Sequence, residues 1–228
     1  MLNYLKENHE KIKNTIKDFY TSTGIHVYIK DTPGPDIDPE EVVFKVEEIL
    51  PAHLLSEVEM IIIGWFNEFK ERQINAFYSD GCLYITHEQN NSADMIDDII
   101  HEVSHSLEEP HGYKIYADKK VENEFLKKRL QLRHILWAHG YKAPSNFFTN
   151  IEYDAEFDNF LLNKIGYDKL SLLMQGIFIN PYAATSLREY FATGFTEFFM
   201  EPNNHDILSN ISPALYQKLI LINKPKSS

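Results

Sequence analysis

The sequence holds a single cysteine, Cys82, in 228 residues. That excludes an internal disulfide. Positive charge is scarce: 22 Lys and Arg stand against 34 Asp and Glu, a formal net charge of −12. Phosphate binding needs clustered Lys and Arg, so this balance argues against a nucleic-acid partner. The stretch from Lys119 to Arg133 is locally Lys-rich, but Glu122 and Glu124 are interleaved with its cations and it reads as a solvated helix face. Long apolar runs are absent. Stretches such as residues 60–66 fall far short of the roughly 20 residues of a membrane-spanning helix, and the start Met1-Leu2-Asn3-Tyr4-Leu5-Lys6 has no signal-peptide core. The expectation is a chain kept in the reducing cytoplasm of the producing cell, with no membrane partner. Internal repeats and low-complexity segments are also missing. What remains, 43% hydrophobic and 25% charged residues, is the composition of an ordinary globular protein with one substantial core, or two small lobes sharing a cleft.

Against that background one stretch carries chemistry. Ile100-His101-Glu102-Val103-Ser104-His105 is an HExxH motif. Two His four residues apart on a helix share a face and reach one zinc ion, and the intervening Glu can take a proton from a metal-bound water. With ten His in the chain, such a motif arises by chance about once in thirty chains of this kind, so its context has to support it. At about 100° per residue, Ile99, Ile100, Val103 and Leu107 fall within about 60° of Ile96, whereas Asp98, His101 and His105 lie on the opposite side. The helix therefore buries one face and offers the other to a cleft. Asn91-Ser92 supplies an N-cap, Asp94 a favourable first-turn charge, and Pro110-His111-Gly112 the expected end.

In chain order, residues 2–20 have the apolar spacing of an amphipathic helix stopped near Thr23-Gly24, and residues 25–29 read as a strand. Asp31-Thr32-Pro33-Gly34-Pro35 is a loop; residues 42–46 fit either a strand or a short helix. Residues 58–63 read as a buried strand bounded by Gly64, followed by a helix over 65–72. Ser79-Asp80-Gly81 between Ala76-Phe77-Tyr78 and Cys82-Leu83-Tyr84-Ile85-Thr86 signals a hairpin. Its second strand is either an edge strand on which an extended substrate could pair or an internal one. Residues 116–139, 152–163 and 168–175 read as helices, and His134 and His139 as structural or exposed.

A catalytic zinc commonly takes its third protein ligand from a second helix, and the stretch 180–202 offers Glu189, Glu197 and Glu201. Spacing alone does not choose. Ser186 and Glu189 have the spacing of a capping box, and Tyr182 precedes Glu189 by the same seven residues by which Tyr190 precedes Glu197.

His-Glu-Val-Ser-His followed by Ser106-Leu107-Glu108-Glu109, together with the segment Tyr-Ala-Ala-Thr-Ser-Leu-Arg-Glu-Tyr-Phe-Ala-Thr-Gly-Phe at residues 182–195, resembles the catalytic domain of anthrax lethal factor and its relatives. These include the Mlc titration factor peptidases and the Pro-Pro endopeptidases. The resemblance spans roughly residues 76–220, with specific motifs only at the two helices. It implies a zinc metalloendopeptidase of the gluzincin type acting on a protein or peptide substrate. His101, His105 and Glu189 would be the metal ligands, Glu102 the base and Tyr182 the oxyanion donor. The family's supporting Glu one turn after the ligand is replaced by Thr193, so Glu108, Asp98 or Glu197 would have to orient a ligand instead. Fold and domains follow: an α+β, predominantly helical zincin-like domain with a small mixed sheet. Its parts are an N-terminal helix and strands over 1–75 in the same compact unit, a metallopeptidase core over 76–222, and a disordered tail over 223–228. A catalytically silent zinc-binding regulatory domain that grips a partner protein is the alternative function.

Overall fold

A computed structural model describes residues 18–225. The chain is α+β and divides into two compact units between Ser106 and Leu107. The first unit carries a mixed five-stranded sheet: β1 (Asp18–Tyr20), β2 (His26–Ile29), β3 (Met60–Ile63), β4 (Ala76–Ser79) and β5 (Cys82–Ile85), in the order β1-β2-β3-β5-β4. Strands β2, β3 and β5 run parallel, with Ile29, Ile63 and Ile85 in register, while β1 and β4 are antiparallel edges. Parallel neighbours need crossover connections, and helix α1 (Pro39–Ile49) supplies the one between β2 and β3.

The ambiguous residues 42–46 are therefore helical. Asp38 caps α1 by accepting from Glu40 N at 3.1 Å, Pro39 takes the first position, and Val42, Val43 and Val46 are buried. Residues 18–20, read as the end of a helix, are a strand, because Phe19 pairs with Val27 across a turn at Gly24; the remainder of that expected helix, residues 1–17, lies outside the described residues. Glu47 on α1 pins the β1–β2 turn, accepting from the backbone N–H and hydroxyl groups of both Ser22 and Thr23. Burial pushes its carboxyl up, but the Thr21 hydroxyl together with the Thr23 and Ser22 donors outweighs that and holds it down at about 2.

Alternation decides which sheet face is buried. Val27, Ile61, Ile63, Leu83 and Ile85 are buried. Phe77 and Tyr84, directly opposed in the β4–β5 register, stack at 4.5 Å on the other face and are edged by Phe66 and by Phe69 of helix α2 (Asn67–Arg72). The hairpin turn has φ of 48° at Asp80 and 83° at Gly81, the paired left-handed conformations that match strand twist in a two-residue loop. Strand β5 is internal and β4 is the edge. At the end of β3 a side chain on Gly64 would meet Lys30 Cβ at 2.8 Å and Asp31 Oδ2 at 2.9 Å, so only glycine allows that approach. Helix α3 (Ser92–Ser106) packs on α1, β4 and β5.

The second unit is helical throughout its described residues: α4 (Glu108–Tyr116), α5 (Lys120–Ala138), α6 (Ala155–Asn159) continued by a π-wound stretch, α7 (Tyr167–Leu173), α8 (Leu187–Met200), α9 (His205–Ile211) and α10 (Pro213–Asn223). Tyr116 belongs to α4, not to the helix that follows it, while His134 and His139 are exposed. Helix α8 is the most enclosed, with Tyr190, Phe191, Ala192 and Phe195 at 0% exposure. A side chain at Gly194 would collide with Leu215 Cδ2 of α10.

Helix α5 corrects the reading of a solvated charged face in part: Lys119, Lys120 and Lys127 are exposed, but Lys128 is 5% and Arg129 0% exposed. Each buried cation lies on the apolar stripe of Val121, Phe125, Leu132 and Leu136 and has dedicated partners. Lys128 donates to Ser212 Oγ at 2.7 Å and lies over the Tyr190 ring; burial pushes its pKa down to about 8, against the pull of Glu124. Glu124 in turn accepts from the Tyr190 hydroxyl at 2.8 Å and from the N–H groups of Ala214 and Leu215 at 2.8 and 3.1 Å. A carboxylate at a helix N-terminus satisfies otherwise orphaned donors, so this network fastens α5, α8 and α10 together. No helix among the described residues is long and apolar enough to cross a membrane; of the expected tail over 223–228, Asn223 is the last residue of α10 and residues 226–228 lie outside the described range.

Candidate metal centre

Helix α3 begins as expected. Asn91 Oδ1 accepts from Asp94 N at 2.9 Å, capping a helix whose buried face is Met95, Ile99, Ile100 and Val103, continued by Leu107. Ile96 is only half-buried and Met95 takes its place in the stripe. The helix stops at Ser106, earlier than Pro110 suggested. Pro110 instead occupies the first turn of α4, where its missing N–H breaks no intrahelical bond.

His101, Glu102 and His105 come together on α3. One ligand atom from each lies within 4.8 Å of the others, and the two imidazoles are 5.1 Å apart at 76°. Both His are half-buried and Glu102 is 8% exposed. Two imidazoles and a carboxylate at this spacing are a donor set that could hold a metal ion. One turn earlier stand two further carboxylates, Asp97 and Asp98. Asp98 is pushed up to about 6 by burial, against the pull of an amide hydrogen bond from Gln89 at 2.8 Å; Asp97 is raised by the same cause. Of the three carboxylates considered for orienting a ligand, Asp98 is the one on the motif's own helix.

The other expected site residues lie in the second unit. Tyr182 opens a single 3₁₀ turn, Tyr182–Ala184, and Glu189 stands in the first turn of α8. The turn is tightly specified: Asn180 Oδ1 accepts from Ala183 N at 3.0 Å, and Thr185 Oγ1 donates to the Tyr182 carbonyl at 2.8 Å. Ser186 Oγ accepts from Glu189 N at 3.1 Å, so the capping half of the Ser186–Glu189 signature is real, and the Glu189 side chain is half-buried. Beside it, Glu108 accepts from the Tyr116 hydroxyl at 2.7 Å and from Arg188 Nε.

The rival pair is differently placed. Tyr190 is fully buried with its hydroxyl given to Glu124, and Glu197 accepts from Asn204 Nδ2 at 3.1 Å. Glu201 is exposed at the C-terminal cap of α8.

Sequence reasoning missed Glu124, Lys128 and Arg129. The signal was present, because Lys128 and Arg129 sit between Phe125 and Leu132 at the spacing of the apolar stripe. No family model, curated protein or solved structure matches the chain.

Proposed function

We propose that the chain is a zinc-dependent metalloendopeptidase of the zincin-like, gluzincin type, with His101, His105 and Glu189 as metal ligands, Glu102 as general base and Tyr182 as oxyanion donor. The observation that carries the reading is the convergence of the His101, Glu102 and His105 donor atoms within 4.8 Å on the polar face of a helix whose other face is core. Imidazole and carboxylate donors suit zinc. A second observation supports Glu189 over Glu197, since the tyrosine seven residues before Glu197 is spent inside the core.

Zinc held by His101, His105 and Glu189 would supply Lewis acidity, making water more acidic and a carbonyl more electrophilic. Glu102 accepts a proton from the attacking water and passes it to the departing amine. The Tyr182 hydroxyl donates to the oxygen on which negative charge develops. The substrate is a protein or peptide in extended form. A catalytically silent domain that binds zinc and a partner would share every residue named but show no turnover.

Digestion of a peptide library, scored by mass spectrometry for wild type beside Glu102→Ala, separates these outcomes. The expected result is cleavage by the wild type, and a variant that keeps one zinc per chain while losing cleavage by at least about a hundredfold. Undiminished cleavage by Glu102→Ala would overturn the mechanism.

A further inference from the structure

Arg129 is the largest fully buried side chain among the described residues, at 0% exposure. An ion is costly to bury unless paired and hydrogen-bonded, and its position on α5 would accept Leu or Met without that cost. What the guanidinium does there is specific. One terminal amino group, Nη1, donates to the carbonyls of Ala184 and Thr185 at 2.7 and 3.2 Å, and the other, Nη2, to the carbonyl of Phe147. The plane is lodged against the rings of Phe157 and Phe125, 4.2 and 5.1 Å from their centroids, and Nε is buried with no hydrogen-bond partner. A rigid fork of donors can hold several acceptors at fixed angles, which a lysine cannot.

The carbonyls it holds belong to the turn between Tyr182 and α8. Thr185 is bonded through both its N–H and its hydroxyl to the Tyr182 carbonyl, at 2.9 and 2.8 Å. The next residue, Ser186, caps the helix on Glu189 N, and Leu187 N donates to Ile151 O at 2.8 Å. Arg129 is thus one hydrogen bond removed from the backbone of Tyr182, and its anchor at Phe147 lies in the same connecting stretch that receives Leu187.

We propose that Arg129 is a positioning residue for the Tyr182–Glu189 segment, fixing through the Ala184 and Thr185 carbonyls where the Tyr182 hydroxyl and the Glu189 carboxylate project. This rests on the metallopeptidase reading for its consequence in turnover, while the clamp itself is tested without it. Misplacing reacting groups by about 1 Å from a remote substitution can cost about a hundredfold. A group supporting a metal ligand is typically worth about tenfold or more in metal affinity.

The test uses the full zinc-loaded chain as wild type, Arg129→Lys and Arg129→Met, below the melting temperature of each. Three quantities are read: kcat and KM on a peptide chosen from the library digestion, the zinc dissociation constant by titration with zinc alone, and amide hydrogen exchange over residues 182–189. Both variants are expected to lose kcat by about a hundredfold with KM within about threefold, to bind zinc about tenfold more weakly, and to exchange faster in that segment than in the interior of α8. The Lys variant keeps the charge, so its loss separates geometry from electrostatics. Unchanged kcat, zinc affinity and segment exchange in a folded Arg129→Lys protein would overturn the proposal. Should Arg129→Met not fold, wild-type exchange still decides: rapid exchange over 183–189 would contradict a clamp. A wild type that binds no zinc would instead count against the metallopeptidase reading, with the exchange comparison still reporting on Arg129.

Discussion

Two Tyr–Glu pairs with identical seven-residue spacing stand on one continuous segment, and the fold uses them differently. Tyr190 is enclosed at 0% exposure and its hydroxyl is spent on Glu124, while Glu197 accepts from Asn204. Tyr182 and Glu189 are both half-buried, on a turn and a helix start whose backbones are held by Thr185, Ser186 and Arg129. A buried polar group with its partners satisfied contributes to the fold. A half-buried one keeps part of its surface open to solvent. Motif spacing is blind to this difference.

The comparison can be broken most severely at the tyrosines. Tyr182→Phe should lower kcat by about a hundredfold or more while leaving KM and zinc content near wild type, the signature of a donor used in the transition state. Tyr190→Phe should do the reverse. Deleting a buried hydroxyl that donates to a half-buried carboxylate should cost about 1.5–3 kcal/mol of stability by denaturant titration, with kcat within about twofold of wild type in the folded protein. If Tyr190→Phe abolished turnover in a stably folded chain, the assignment of the two pairs would have to be exchanged.

A smaller effect lies in the first unit, which carries the motif helix. Glu47 has its carboxyl held down at about 2 from an ordinary 4.5 by the Thr21, Thr23 and Ser22 donors, against burial. The stability it contributes is therefore present above about pH 4.5 and is lost as pH falls through that range towards 2. Glu47→Gln should remove that contribution at neutral pH and flatten the acid limb between those values, without changing zinc content at pH 7. Exchange of the amides at Ser22 and Thr23 is the local readout, and an unaltered acid limb in the variant would remove Glu47 from the account.

The parts of the fold legible in the sequence were those set by local chemistry. Asn91 capping α3, the Asp80-Gly81 hairpin and the division of α3 into an apolar and a His-bearing face all follow from neighbouring residues. Helix α1 was legible too, had Asp38-Pro39 with Glu40 and Glu41 been weighed as a helix start ahead of the β-branched Val42 and Val43. Strand order was not, because whether β5 is internal or an edge depends on pairing between β3 and β5, about twenty residues apart in sequence. The place of Lys128 and Arg129 on an apolar stripe was legible, but most of their partners were not, since Ser212, Ala184 and Thr185 lie more than fifty residues downstream. Within the candidate site, the motif was readable, but the different burial of the two tyrosines was not, since Tyr190 is spent on the remote carboxylate of Glu124.

Zinc content after dialysis against a metal-buffered solution, measured by elemental analysis for wild type, Glu189→Ala and Glu197→Ala side by side, tests the central claim most directly. Wild type and Glu197→Ala should each retain one zinc per chain, whereas Glu189→Ala should lose it, its affinity falling by more than about a hundredfold. Full zinc in Glu189→Ala with loss from Glu197→Ala would contradict the account.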